Sequence, residues 1–121
     1  MMFDTTILID YLRGRQEAIG LFEAQGTKPK VSVVSTLELY AGVRTRREEQ
    51  KTEQLLSQTA LLQITQDIAK RAGVFIRIYE ASHGVEIADA LIAATAEHHG
   101  LRLATLNVKH FPMFRKLKPA Y

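Results

Sequence analysis

The first ten residues constrain the fold most, because a very short apolar run reaches an acidic residue almost at once. Asp4 ends this run, and apolar residues then recur at helical spacing up to Leu12. The order predicts a buried strand that ends at Asp4 and a helix capped by Thr5 or Thr6. A carboxylate at the carboxyl end of a central strand lies where open α/β sheets bind ligands. The alternative is that Asp4 only caps the helix.

Short apolar runs and helical patterns alternate through the rest of the chain. We predict strands over 30–34, 61–64 and 101–105, helices over 16–25, 68–82 and 87–99, and a possible terminal edge strand over 116–119. No linker or repeat interrupts this order. It predicts an α/β fold in which residues 1–121 form a single domain, with helices on both faces of a parallel sheet of four to five short strands.

Two further acids, Glu38 and Asp89, each lie near the start of a predicted helix, as Asp4 does. Ser35 and Glu38 match a capping box, which predicts a helix that begins at Ser35; alternatively, the preceding strand delivers Glu38 to the same sheet edge as Asp4. Asp89 lies in the first turn of an alanine-rich helix, where it either complements the helix dipole or is partly buried and needs a partner.

If Asp4, Glu38 and Asp89 converge, their charges repel, and a bound cation or a raised pKa is the usual remedy. An all-oxygen site suits Mg²⁺ or Mn²⁺, and such ions activate water for attack on a phosphate. Neutral groups that could orient water or phosphate there are Asn107, Thr5, Thr6 and Thr105.

Composition narrows the class of protein. The chain has no cysteine, so it contains neither disulfides nor thiolate metal sites. No signal peptide and no apolar run of about 18 residues is visible, so we expect a soluble, cytoplasmic protein without a membrane partner.

The charge-dense stretch 44–54 is interpreted as a solvated helical face or, alternatively, an RNA-facing edge. The net charge of +3 permits a polyanionic partner. Four basic residues near the end are candidates for binding RNA: Lys109, Arg115, Lys116 and Lys118.

Four segments together resemble the PIN-domain ribonucleases, and specifically the VapC toxins of bacterial toxin–antitoxin pairs. They are residues 4–10, 35–42, 89–96 and 103–111, and their order and spacing follow the family over nearly the whole chain. The sequence departs from the family in two places: Thr6 stands where Asn or Ser is frequent, and the segment from Asn107 to His110 lacks the fourth acid of many members.

The resemblance implies a PIN-like three-layer α/β/α fold and an endoribonuclease that depends on Mg²⁺ or Mn²⁺. It implies that Asp4, Glu38 and Asp89 hold the metal and, with Asn107, form the catalytic site. It also implies RNA as substrate, a homodimer, and a hetero-oligomer in which a VapB-type antitoxin inhibits the toxin.

Two other functions compete with this interpretation. An aspartyl-phosphate phosphatase of the haloacid dehalogenase type needs a second acid two residues after its nucleophile, where this chain has Thr6. A non-catalytic PIN-like domain that binds RNA or protein is the other alternative. If the acids repel one another, Asp4→Asn is expected to stabilise the metal-free protein by about 1 kcal/mol.

Overall fold

Four short parallel strands form the central sheet of the protein, which a computed structural model describes over all 121 residues. The strands are β1 (Met2–Phe3), β2 (Lys30–Ser32), β3 (Ala60–Leu62) and β4 (Leu103–Ala104). Their spatial order is β3-β2-β1-β4, and every pairing is parallel. Strand β1 lies between β2 and β4, and Asp4 follows it directly. Asp4 is therefore at the carboxyl edge of the sheet, at the end of an inner strand.

Helices cover both faces of the sheet. They are α1 (Thr5–Leu12), α2 (Gln16–Glu23), α3 (Val33–Ala41), α4 (Arg46–Ser57), α5 (Gln66–His83), α6 (Ile87–His98) and a 3₁₀ helix (Val108–His110). Met2 belongs to a core with α5 and α6, whereas Phe3 belongs to a core with α1, α2 and α4. Successive strand side chains point to opposite faces, so two residues supply both cores. The predicted three-layer α/β/α fold is confirmed.

The long helix predicted over 68–82 is confirmed as α5, which begins two residues earlier and ends one residue later. The Thr65 hydroxyl accepts a hydrogen bond from the Ile68 N–H at 3.3 Å, which caps the helix. Gly84 ends it with a φ of 61°, in the left-handed region that glycine adopts without strain. Helix α6 then packs its alanines closely against α5.

Two predicted helix starts are wrong. Asp4 itself caps α1, since its carboxylate accepts the Thr5 N–H, so neither Thr5 nor Thr6 is the cap. Ser32 caps α3, which therefore begins at Val33, two residues before the predicted start at Ser35. Both errors have one cause: the strands are only two or three residues long, so each helix starts directly after its strand.

The stretch between α3 and β3 and the end of the chain were the subject of two further expectations. The charge-dense segment forms α4, which buries only Thr52, Leu55 and Leu56, so its charged side chains are exposed, as both the solvated-face and the RNA-facing interpretations require. Residues 116–119 form no strand. Pro119 has no N–H to donate to a ladder, and the terminal segment is held instead by the Ala120 N–H, which donates to the Thr105 carbonyl at 2.9 Å. None of the helices is long and apolar enough to cross a membrane.

Candidate active site

Asp4 is a buried carboxylate with three donors around it. Its side chain accepts the Thr5 N–H at 2.8 Å through Oδ1, and the hydroxyls of Thr6 at 3.0 Å and Thr105 at 2.7 Å through Oδ2. Only 3% of the residue is exposed. Asp4 is therefore a helix cap and, at the same time, an acid anchored at the centre of the sheet edge.

The two threonine hydroxyls have fixed orientations. Thr6 Oγ1 also accepts the Leu106 N–H at 3.3 Å, and Thr105 Oγ1 accepts the Asn107 N–H at 3.0 Å. A hydroxyl has one proton to donate, so each of these must direct that proton at Asp4. The loop after β4 thereby helps to hold the Asp4 carboxylate.

Thr5 connects Asp4 to Glu38. While the Thr5 N–H donates to Asp4, the Thr5 hydroxyl donates to Glu38 Oε1 at 2.6 Å. Ser35 Oγ lies 2.7 Å from the same hydroxyl. Because the single Thr5 proton goes to Glu38, Ser35 is the donor in that pair. Glu38 thus projects from the middle of α3 toward the sheet edge, as the functional interpretation requires.

Ser35 is a site residue that the sequence analysis assigned only to a helix cap. It is fully buried and lies one turn before Glu38 on the same helix. The i, i+3 spacing placed both side chains on one face, and this was the signal that could have identified it.

Asp89 lies in the first turn of α6, with a side chain that is 15% exposed and an Oδ2 atom 3.2 Å from the His110 Nδ1 atom. The pKa of Asp89 is raised to about 6, chiefly by burial; His110 opposes the rise, and the charges of Asp4, Glu38 and Glu86 add to it. The three predicted acids therefore lie near enough to interact electrostatically. His110 was not predicted as a site residue, although it occupies the segment where the fourth acid is missing.

Asn107 contributes through its backbone. Its N–H donates to Thr105, but its side-chain amide is exposed and makes no hydrogen bond within the chain. The amide is therefore available to a ligand at this edge. The structure gives it no fixed position in the acid cluster.

The acids do not form a closed metal cage. No group of three His, Asp or Glu side chains is arranged to hold a metal ion. Glu38 Oε2 and Asp89 Oδ1 accept no hydrogen bond, so each residue has one free carboxylate oxygen. An oxygen-only donor set with vacant oxygens fits a hard cation that keeps several waters, which is the behaviour of Mg²⁺.

The predicted basic residues divide into two locations. Lys109 lies in the 3₁₀ helix beside His110, and so close to the acids. Arg115, Lys116 and Lys118 line a cavity whose other walls include Arg102 and Leu103, at the amino end of β4. None of the three acids belongs to the lining of this cavity.

Comparison with known proteins agrees with this geometry. The family model of the PIN domain matches residues 1–116. Ribonuclease VapC10 of Mycobacterium tuberculosis is 44% identical over 124 residues, covering 100% of this chain and 92% of that protein. Ribonuclease VapC19 of the same species is 40% identical, covering 99% of this chain and 98% of that protein.

A solved structure extends the comparison to the whole fold. A toxin–antitoxin complex from Klebsiella pneumoniae contains a chain that is 34% identical and superposes with a TM-score of 0.84. The match covers 99% of this chain and 97% of that one. With the family model, the sequence relatives and the fold in agreement, the chain belongs to the VapC group of the PIN-domain family.

Proposed function

We propose that the chain is the toxin of a type II toxin–antitoxin pair and an endoribonuclease that hydrolyses phosphodiester bonds in RNA with Mg²⁺ or Mn²⁺. One observation supports the proposal: Thr5 joins Asp4 to Glu38, and the charges of both acids add to the raised pKa of Asp89. The relatives named ribonucleases support RNA as the substrate.

Asp4, Glu38 and Asp89 would hold the ion, with waters completing its shell. A bound Mg²⁺ or Mn²⁺ supplies a polarised phosphoryl oxygen and an activated water. The chain's own residues prepare this edge. The hydroxyls of Thr6 and Thr105 orient the Asp4 carboxylate. The Thr5 hydroxyl, which is itself bonded to Ser35, orients Glu38, and His110 pairs with Asp89. The free amide of Asn107 would then contact a water or a phosphate oxygen.

A VapB-type antitoxin would inhibit the toxin by covering the acidic edge. A groove of about 400 Å³ between α1, α3 and α4 begins at Glu38 and continues past Ile9, Leu12 and Leu39. Its apolar floor suits an amphipathic segment, and the acids favour a basic side chain at its end. The antitoxin in the Klebsiella pneumoniae complex supports such a partner. A toxin–antitoxin complex in which the acidic edge stays open to solvent would contradict this proposal.

We also propose a homodimer that the antitoxin joins to form a hetero-oligomer, acting on RNA in the cytoplasm. Leu37 and Ile87 are each 69% exposed and flank Glu38 and Asp89 in sequence. Large exposed apolar side chains are typical of interfaces. Light scattering of the Leu37→Lys variant should show monomers, and an unchanged mass would remove these residues from the interface.

RNA cleavage by the purified protein tests the enzymatic proposal. We expect cleavage in Mg²⁺ or Mn²⁺, none in chelator, and none with Asp89→Asn or Glu38→Gln. The matched control is Asp67→Asn, which removes an exposed acid from the first turn of α5 and should cleave as wild type does. RNA binding without any metal-dependent cleavage would instead make the chain a non-catalytic RNA-binding PIN domain.

A further inference from the structure

A cavity beside β4 has none of the three acids in its lining and has no role in the site described above. Its volume is about 730 Å³. One wall runs from Leu101 to Ala104 and so includes both residues of β4, and the other is the terminal segment from Met113 to Ala120. The cavity therefore lies along β4, which is an edge strand of the sheet.

The charges around this cavity are all of one sign. Its lining contains four cations and no Asp or Glu: Arg102, Arg115, Lys116 and Lys118. All four are exposed, and none of them takes part in the chain's ion pairs. In α4, by contrast, Glu48 and Glu49 follow Arg46 and Arg47 directly. The cavity therefore concentrates uncompensated positive charge.

Aromatic and apolar groups form the floor between these cations. Phe114 is half-buried and stacks on the buried Phe111, with ring centroids 6.5 Å apart and an interplanar angle of 20°. Met113 and Leu117 lie beside it. Aromatic faces with Lys and Arg around them bind unpaired nucleotides, because the bases stack and the phosphates meet the cations.

Basic residues also mark a path along the sequence from the 3₁₀ helix to the cavity. Lys109 lies next to His110 at the acidic edge, and the cations of the cavity begin five positions after His110, at Arg115. One strand of RNA that follows this path would contact Lys109 and then the cavity. An acidic peptide would satisfy the cations as well, but only RNA has a reason to reach both ends of the path.

We propose that this cavity is an RNA exosite, which holds unpaired nucleotides of the substrate away from the edge where the RNA is cut. The proposal rests on the proposed ribonuclease function. It predicts that substrates long enough to span both regions bind more tightly than short ones. It also predicts that the cations of the cavity account for this difference.

Binding of labelled RNA to the wild-type protein in chelator, where no cleavage occurs, tests the exosite. The probes are two unstructured RNAs, one longer than about 16 nucleotides and one of about 4 nucleotides. The variant is Arg115→Gln/Lys116→Gln/Lys118→Gln. The matched control, Lys28→Gln/Lys70→Gln/Arg77→Gln, removes the same charge at exposed positions outside the cavity.

We expect the exosite variant to bind the long RNA roughly tenfold more weakly than the control variant does. Three lost phosphate contacts should reduce the slope of log affinity against log salt by about 2. The loss on the short RNA should be smaller. Photocrosslinking of long RNA that contains 4-thiouridine should label the segment from Met113 to Ala120 in the wild type.

Three outcomes would overturn the exosite. Equal weakening in both triple variants would show diffuse attraction, and an unchanged salt slope would show that the cavity binds no phosphate. Binding of an acidic Glu/Leu peptide that is lost in the exosite variant, while RNA binding persists, would assign the cavity to a protein partner. Failure of the enzyme proposal is separate: RNA that binds through the cavity but is never cleaved in Mg²⁺ would contradict only the ribonuclease.

Discussion

Asp4 and Asp89 differ in how well their charges are compensated, although both belong to the same acid cluster. Asp4 accepts three hydrogen bonds from groups that have no other use for their protons. Asp89 has one partner, His110, and is otherwise partly buried beside other negative charges. The repulsion that the sequence analysis assigned to Asp4 is therefore concentrated on Asp89, and the two residues should respond to neutralisation in opposite directions.

Asp89→Asn should stabilise the metal-free protein in a pH-dependent manner. The ordinary carboxyl loses its proton near pH 4 in the unfolded chain, whereas Asp89 loses it near pH 6 in the folded protein. The wild type thus loses stability relative to the variant as pH rises through this window. Urea unfolding in chelator should show a gain of about 2 kcal/mol above pH 7 that shrinks toward pH 4. A gain independent of pH would show that the pKa of Asp89 is not raised.

Asp4→Asn should destabilise the metal-free protein by about 1.5 kcal/mol, contrary to the gain expected from the sequence. An asparagine amide would point N–H groups at a donor, either the Thr5 N–H or the hydroxyls of Thr6 and Thr105. Guanidinium unfolding at pH 7 measures the change, with Asp67→Asn as the control acid. A variant as stable as wild type would mean that the hydroxyls can reverse their orientation at no cost.

Helix α3 is positioned by contacts that two residues in its interior make with Thr5, and the sequence of the helix did not predict these contacts. The Ser35 and Glu38 pattern suggested a helix start, but the short strand β2 lets α3 begin at Val33, so both side chains turn toward Thr5. A local motif could not reveal this, because the contact joins residues 30 or more positions apart. The same limit hid the pairing of His110 with Asp89.

Thr5→Val should reduce RNA cleavage while Thr5→Ser preserves it. Valine has nearly the same shape but cannot donate to Glu38, and it leaves the buried Ser35 hydroxyl without its partner. We expect about a tenfold loss in kcat/KM, which corresponds to one hydrogen bond of about 1.4 kcal/mol. If both variants cleave equally well, Thr5 does not position Glu38.

The terminal segment is anchored by side chains and one backbone bond in place of the predicted edge strand. The Tyr121 hydroxyl donates to Asp10 at 2.7 Å, and Arg15 lies over the Tyr121 ring. Tyr121→Phe should therefore cost about 1 kcal/mol. Thermal unfolding compares it with Tyr79→Phe, whose hydroxyl makes no hydrogen bond. Equal melting temperatures would show that the anchor contributes nothing.

At the level of the whole molecule, the layers and the convergence of acids follow from patterns that the sequence displays directly. Apolar spacing predicted α5 and α6, and the ends of parallel strands predicted that Asp4, Glu38 and Asp89 would share one edge. The cavity beside β4 could not be predicted, because its walls meet only after the terminal segment folds back. Arg115, Lys116 and Lys118 were expected near the acids, and they lie in the lining of this cavity, which contains none of the three acids.

Titration of the purified protein with Mn²⁺ tests the central claim, which is that the acids of the carboxyl edge form a metal site. Calorimetry should compare the wild type with Glu38→Gln/Asp89→Asn, a variant that retains the hydrogen-bonded Asp4 and so keeps the fold. We predict saturable binding to the wild type and its loss in the variant, because two of the three ligands have become neutral amides. Identical binding curves for the two folded proteins would contradict the site and the ribonuclease mechanism that depends on it.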